Sequence, residues 1–258
     1  MQVLKFGGSS VANAGAMLQV IDIVKKALET DRTIVVSSAI SGCTDELIAI
    51  GRLSGAHDKS FEERLQALRE RHHQIVKELL PESYQAKTLE TLDGLFAQLA
   101  SILQGVFLLG ELSPTSLSAV ESFGELFSTK ILTDKCQSLG IPCQWLDARK
   151  LVVLRGGTVD TTVTYKRIQE AVGQHLHTQL FIVPGFIARD EEGRPTTLGR
   201  GGSDRAAEWG YSRRRSRPGP PRARWCRFRP APAPPPERGQ RPAPPLPPGP
   251  RCPCGSGG

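Results

Sequence analysis

Apolar positions in the first 200 residues fall into short runs and helical stripes that take turns along the chain. Val3, Leu4 and Phe6 form a β-leaning run around Lys5, and Met17, Val20, Ile21, Val24 and Leu28 then recur at helical spacing. TIVVSSA, from Thr33 to Ala39, has the continuous apolar character of a buried strand, and SGCTDELIAIGRL follows as a turn and a second helix. Strand, helix, strand, helix in this rhythm predicts a parallel sheet with helical crossovers.

The middle of the chain changes period. Ser60 and Glu63 have capping-box spacing, and Phe61, Leu65, Leu68, His72, Ile75 and Leu79 follow on one helical face up to Pro81. Leu89, Leu92, Phe96, Leu99, Leu103 and Val106 mark another helix. Together they predict an antiparallel helical pair inserted into the sheet pattern at about 60–109. His72 lies on the apolar stripe and is expected to be a partly buried, hydrogen-bonded histidine rather than a ligand. A further helix is expected from about Ser116 to Ser138, with Leu117, Val120, Phe127 and Ile131 inward, then a strand in IPCQWLDA and a helix from Thr164 to His177. His175 and His177 have no third ligand candidate nearby and are expected at the surface. Phe181 to Ala188 is a strand interrupted by Pro184-Gly185, and Asp190 to Gly193 is a hairpin turn.

Composition splits the chain in two. Residues 205–258 hold 12 of the 33 Lys+Arg, 2 of the 26 Asp+Glu and 15 of the 20 prolines. Residues 1–204 therefore hold 21 basic and 24 acidic groups, and the overall charge of +7 belongs to the tail. The front part has no basic excess that would argue for nucleic acid or an acidic membrane. The tail lacks Ile, Val, Met, Asn, Asp, Thr, His and Lys, so it cannot bury a core and is expected to be disordered with polyproline II character. Cys43, Cys136, Cys143, Cys226, Cys252 and Cys254 show no metal-ligand spacing and are expected as buried reduced thiols, with no metal site. Lys5 interrupts the only N-terminal apolar stretch, so no signal-peptide core is expected there. No stretch is expected to match the roughly 20 apolar residues of a membrane span, and a cytoplasmic location is the default.

Two glycine-rich segments carry the candidate chemistry. In KFGGSS a lysine in a strand precedes Gly7 and Gly8, which allow a tight turn and close approach, and then Ser9 and Ser10, where a helix is expected to begin. Strand, glycines, hydroxyls and helix N-terminus together suggest an anion site. In LGRGGSD, Arg200 and Asp204 flank Gly201, Gly202 and Ser203. Arginine binds carboxylate or phosphate bidentately, and successive glycine N–H groups can form an anion nest. Neither segment is a Walker motif or a dinucleotide fingerprint. Two glycine loops with a lysine, an arginine and an aspartate still suit phosphoryl transfer, whose transition state is stabilised mainly by positioning and charge.

KFGGSS, Ser38 with Thr44, Phe123-Gly124-Glu125, GFIA and LGRGGSD occur in the order found in aspartate kinases, and residues 1–204 resemble that family. Acetylglutamate, glutamate, carbamate and uridylate kinases share the fold but lack this pair of motifs. The opening MQVLKFGGSSVAN also resembles aspartate kinases fused to homoserine dehydrogenase. The resemblance implies an α/β amino-acid-kinase-like three-layer fold, with a mostly parallel central sheet between helices, incomplete at its C-terminal side. It implies phosphorylation of the L-aspartate β-carboxylate by ATP with Mg²⁺, the first step toward lysine, threonine and methionine, usually in a homo-oligomer. Lys5 would neutralise the transferring phosphoryl group, and Gly7, Gly8 and Ser9 would cradle it. Ser38 and Thr44 would line the site. Glu125 would meet the aspartate ammonium, Arg200 a substrate carboxylate, and Phe186 would pack over the amino acid. Gly201, Gly202, Ser203 and Asp204 would serve the phosphate end, with Asp204 and Lys5 as the catalytic pair.

The family's TDVDG-type nucleotide segment and FGAK-type lysine segment are not found after LGRGGSD. The Arg, Pro, Gly and Ala alphabet of the tail suggests a reading frame lost after Asp204, and an inactive fragment. The rival expectation takes the tail as a non-catalytic interaction segment. Arg241, Pro244 and Pro247 fit an RxxPxxP ligand for an SH3-type groove, and Arg213 to Arg217 could attract nucleic acid.

Overall fold

The computed structural model describes residues 1–198. Arg200, Gly201, Gly202, Ser203, Asp204 and the 205–258 tail lie outside the described residues.

The chain opens with strand β1 (Gln2–Phe6), a 3₁₀ turn (Gly8–Val11), helix α1 (Ala14–Leu28) and strand β2 (Thr33–Ser37). Four helices follow: α2 (Cys43–Gly55), α3 (Ser60–Leu79), α4 (Glu82–Leu109) and α5 (Pro114–Ser138). Then come β3 (Cys143–Trp145), the short α6 (Ala148–Leu151), β4 (Leu154–Arg155), β5 (Thr158–Val159), α7 (Thr161–Gly173), β6 (Leu180–Pro184), β7 (Ile187–Arg189) and β8 (Pro195–Thr197).

The central sheet is parallel, in the order β1-β2-β6-β3. Every residue of β2 is buried, so both faces of the sheet are covered. With right-handed crossovers, the steps β1 to β2 and β2 to β3 put α1–α5 on one face, and the return from β3 to β6 puts α6 and α7 on the other. This is the layered α/β arrangement that the strand–helix rhythm predicted.

Helices α3 and α4 run antiparallel. Phe61 meets Phe107, Arg69 pairs with Asp93, and His72 meets Phe96. Pro81 separates them as the N-cap of α4. The capping box expected from Ser60 and Glu63 does not form. Ser60 is already the first helical residue, and its N–H donates to the Asp58 carboxylate at 2.9 Å. The helix expected over 164–177 starts earlier, at Thr161, because Asp160 caps it by accepting the Val163 N–H at 3.0 Å, and it ends earlier, at Gly173. Helix α4 also departs from expectation: over 18 residues its mean hydropathy reaches 1.6, long and apolar enough to cross a membrane by length and composition. Residues 92–109 carry one charge, Asp93, and interleaved Gln, Ser and Gly obscure the run in the sequence. Here Leu92, Phe96, Leu99, Leu103 and Val106 form a buried stripe among α2, α3 and α5.

His72 is hydrogen-bonded, as expected, but fully rather than partly buried. Its Nδ1–H donates to the Leu68 carbonyl at 2.8 Å, leaving Nε2 to face the Cys43 thiol at 3.9 Å. Its ring sits edge-on to Phe127 and Phe96, which stack 4.1 Å apart. Burial pushes its pKa down from 6.5 to about 4. The neutral ring's contribution to stability is therefore present above pH 6.5 and is lost as pH falls toward 4. In urea titrations the unfolding midpoint should drop across that interval, and His72→Leu should flatten the drop. An unchanged pH dependence in that variant would remove His72 as the cause.

Candidate active site

Phe6, Ser37 and Pro184 lie side by side at the carboxyl ends of β1, β2 and β6. In open parallel sheets, ligands bind in the crevice outside this edge. The segments leaving it are Gly7-Gly8-Ser9, Ser38 to Gly42 and Gly185-Phe186, so three parts of the sequence pattern converge here.

Two glycines permit the convergence. A methyl on Gly8 would lie 2.9 Å from the Ala39 carbonyl oxygen, so only glycine lets the first loop approach the second. A methyl on Gly124 would meet the Ala39 Cβ at 2.9 Å and the Cys43 Sγ and Leu47 Cδ1 at 3.3 Å, so this glycine lets α5 press against α2. Gly124→Ala should destabilise the fold by about 1–3 kcal/mol through overpacking, read as a lower urea midpoint. A midpoint equal to the parent's would mean that α5 can move away without cost.

Close packing at Gly124 brings Glu125 to the sheet edge. Glu125 is only 2% exposed. Its Oε2 accepts the Phe186 N–H at 2.6 Å, and the Gly185 N–H, the Ser38 hydroxyl and the Lys5 ammonium also act on the carboxylate. Oε1 is buried and accepts no hydrogen bond among the described residues. Burial dominates over all four favourable groups and pushes the carboxyl pKa from 4.5 up to about 8. A buried acceptor without a partner is costly, and sites that bind ligands are where such a cost persists.

Supporting contacts fix this arrangement. The Ser128 hydroxyl donates to the Ser38 carbonyl at 2.8 Å, and the Thr129 hydroxyl donates to the Glu125 carbonyl at 2.6 Å. Gly185 N–H donates to the Ser37 carbonyl at 3.1 Å, and Leu198 N–H to the Phe186 carbonyl at 2.8 Å. Ser128 was not singled out in the sequence, although its place three residues after Glu125 puts it on the same helical face.

Lys5 is half-buried on β1. A methyl on Gly7 would lie 3.8 Å from the Lys5 Nζ, which places the ammonium beside the glycine turn. Ser9 and Ser10 fall within the 3₁₀ turn rather than at the start of α1, where Asn13 is the cap and accepts the Ala16 N–H at 2.9 Å. Thr44 is half-buried in the first turn of α2, and Phe186 is half-buried beside Glu125. No hydrogen bond joins Thr44 or Ser9 to the Glu125 group among the described residues. Lys5, Ser38, Glu125 and Phe186 are thus brought together. The five residues expected from the second glycine segment lie outside the described residues. Among the described residues, no group of three His, Cys, Asp or Glu side chains is arranged to hold a metal ion.

The amino acid kinase family model matches residues 1–209, four-fifths of the chain. The chain belongs to the amino acid kinase family. Among its relatives, the lysine-sensitive aspartokinase 3 of Escherichia coli is 32% identical over 209 residues, covering 80% of this chain and 44% of that protein. The chloroplastic bifunctional aspartokinase/homoserine dehydrogenase 2 of Arabidopsis thaliana is 29% identical over 210 residues, covering 80% of this chain and 23% of that protein. The crystal structure of E. coli aspartokinase III in complex with aspartate and ADP superposes with a TM-score of 0.72 at 30% identity, covering 81% of this chain and 46% of that one. The chain thus spans less than half the length of these relatives. The amino acid kinase fold accounts for the parallel sheet and for its loops meeting at one edge.

Proposed function

We propose that this chain carries the amino-acid-binding part of an aspartate kinase, which transfers the γ-phosphoryl group of ATP to the β-carboxylate of L-aspartate. The observation that carries this reading is the buried Glu125 carboxylate at the sheet edge, with an Oε1 unpaired among the described residues. An α-ammonium is the ligand such an acceptor suits: it donates three hydrogen bonds and offsets the cost of a buried anion. Its arrival would return the carboxyl to its ionised state. Phe186 would cover the aspartate backbone, and Ser38 would hold the carboxylate of Glu125 in place.

The reaction needs little covalent work from the protein. A β-carboxylate oxygen attacks the γ-phosphorus of ATP, the bond to the bridging oxygen breaks, and ADP leaves with the electron pair. Lys5 offers positive charge beside the glycine turn, where the equatorial phosphoryl oxygens would lie. Gly7, Gly8, Ser9, Gly201, Gly202 and Ser203 would form the anion cradle, and Arg200 would hold a substrate carboxylate. Thr44 would line the amino-acid end, and Asp204 would act at the phosphate end. Mg²⁺ is assigned to the phosphates of ATP. The described residues supply no cluster for it, and no step here depends on one.

The test is titration calorimetry of the 258-residue chain with aspartate and with ATP, in buffers of different ionisation enthalpy. Aspartate should bind at millimolar strength and release up to one proton near pH 7, as Glu125 ionises against the ammonium. ATP should show no binding, because the expected nucleotide segments are not found after LGRGGSD. Aspartate binding without proton release would remove Glu125 from the ammonium site. Tight ATP binding with aspartyl phosphate trapped by hydroxylamine would overturn the restriction to the amino-acid end.

A further inference from the structure

Cys136 lies in the last turn of α5, and Cys143 opens the edge strand β3. The chain between them folds back tightly: the Ile141 N–H donates to the Cys136 carbonyl at 3.1 Å, and the Gly140 N–H donates to the Gln137 carbonyl at 2.9 Å. The fold-back lays the Cys143 Sγ against the end of α5, where it donates to the Thr133 carbonyl at 3.4 Å, one turn before Cys136. The fold-back thus brings the Cys143 Sγ to the turn of α5 that ends in Cys136, and neither cysteine is in a disulfide. Their exposure differs: Cys136 is 1% exposed, while Cys143 is half-buried.

We propose that Cys136 and Cys143 are a redox pair that closes into a reversible disulfide when a peroxide reaches Cys143. The Cys143 thiolate attacks one peroxide oxygen and the O–O bond breaks. That oxygen stays on sulfur as a sulfenic acid, and the other leaves as water after taking a proton. The Cys136 sulfur then attacks the Cys143 sulfur, the S–O bond breaks, and the hydroxyl leaves as a second water with the remaining thiol proton. Two thiols and one hydrogen peroxide thus give one disulfide and two waters. A dithiol restores the pair by exchange.

The division of labour follows from the surroundings. The neighbouring Cys143 thiol and burial push the Cys136 thiol up, and Cys136 is closed off from solvent, so the half-buried Cys143 is the sulfur that meets the peroxide. The bond would tie β3 to α5. That connection already rests on Trp145, whose Nε1–H donates to the Thr129 hydroxyl at 3.0 Å and whose ring lies 3.7 Å under the Lys130 ammonium. Thr129 in turn holds the carbonyl of Glu125. Oxidation therefore fastens the helix that carries the candidate site.

The experiment uses the whole chain with Cys226, Cys252 and Cys254 replaced by serine, so that these cannot exchange. The protein is treated with hydrogen peroxide, its free thiols are alkylated under denaturing conditions, and trypsin releases fragment 136–149, which contains both cysteines. The expected product is an unalkylated fragment lighter by two hydrogens, converted to the doubly alkylated form by prior dithiothreitol. Cys136→Ser should leave Cys143 as a sulfenic acid that dimedone captures, and amide exchange across residues 139–145 should slow on oxidation. A Cys143 sulfinic acid with Cys136 still alkylated would overturn the proposal, as would disulfides only between separate chains. Because the central readout is on the unsubstituted pair, poor folding of Cys136→Ser leaves the test intact.

Discussion

Lys5→Ala should lower the rate of aspartyl phosphate formation by roughly a hundredfold or more, while aspartate affinity stays within a few-fold of the parent. The side chain approaches the glycine turn, its Nζ 3.8 Å from where a methyl on Gly7 would lie. Its charge would meet negative charge that builds on the phosphoryl oxygens during transfer. Contacts made only in the transition state lower turnover when removed, with little change in ground-state binding. The rate is measured by hydroxylamine trapping in a catalytically competent form of the protein. The 258-residue chain offers a second readout without catalysis. Lys5 favours the ionised form of Glu125, so Lys5→Ala should shift Glu125's titration to higher pH. A parent-like rate would remove Lys5 from the chemistry, and an unshifted titration would separate it from Glu125.

Glu125→Gln should give two effects of opposite sign. The unfolded chain ionises this carboxyl near 4.5 and the folded chain near 8. The neutral carboxyl's contribution to stability is therefore complete below pH 4.5 and is lost as pH rises through 8. The slope is at most about 1.4 kcal/mol per pH unit for one proton. Glutamine keeps an acceptor for the Phe186 N–H and carries no ionisation, so the variant should be the more stable above pH 8, and its profile should be flat where the parent's falls. Aspartate affinity should drop by roughly tenfold to a hundredfold, because a charge-assisted bond contributes about 1.5–3 kcal/mol. Urea midpoints from pH 4 to 9, with aspartate titrations at pH 7.5, measure both effects. A variant less stable than the parent at pH 8 would show that the carboxylate is satisfied when charged. Unchanged aspartate affinity would remove it from the binding site.

These predictions rest on residues that were legible to different degrees. Lys5 stood out because a lysine inside an apolar strand, followed by two glycines, is unusual on physical grounds alone. Glu125 did not. By spacing alone it looks like a solvated helical residue, and only the resemblance of Phe123-Gly124-Glu125 to a family motif pointed to a site. Its burial depends on Gly124 letting α5 reach Ala39 and on Phe186 returning from β6, 61 residues later in the chain. No local pattern encodes a contact of that range. Similarly, Ser60 with Glu63 has the spacing of a capping box, but Asp58 competes for the same N–H and wins.

The amino-acid sequence by itself determined where strands and helices alternate, because periods of 2 and 3.6 register which side of each element must leave water. It determined the parallel sheet through strand–helix order, and the Arg/Pro-rich character of residues 205–258 through composition. Tertiary structure alone decided that β1, β2 and β6 end level, that Glu125 is buried with one oxygen unpaired among the described residues, and that Cys143 lies against the end of α5. The reason is physical. Periodicity reports the free energy of hiding an apolar face and is local, whereas a carboxyl's ionisation and a thiol's neighbour depend on which distant backbone closes over them.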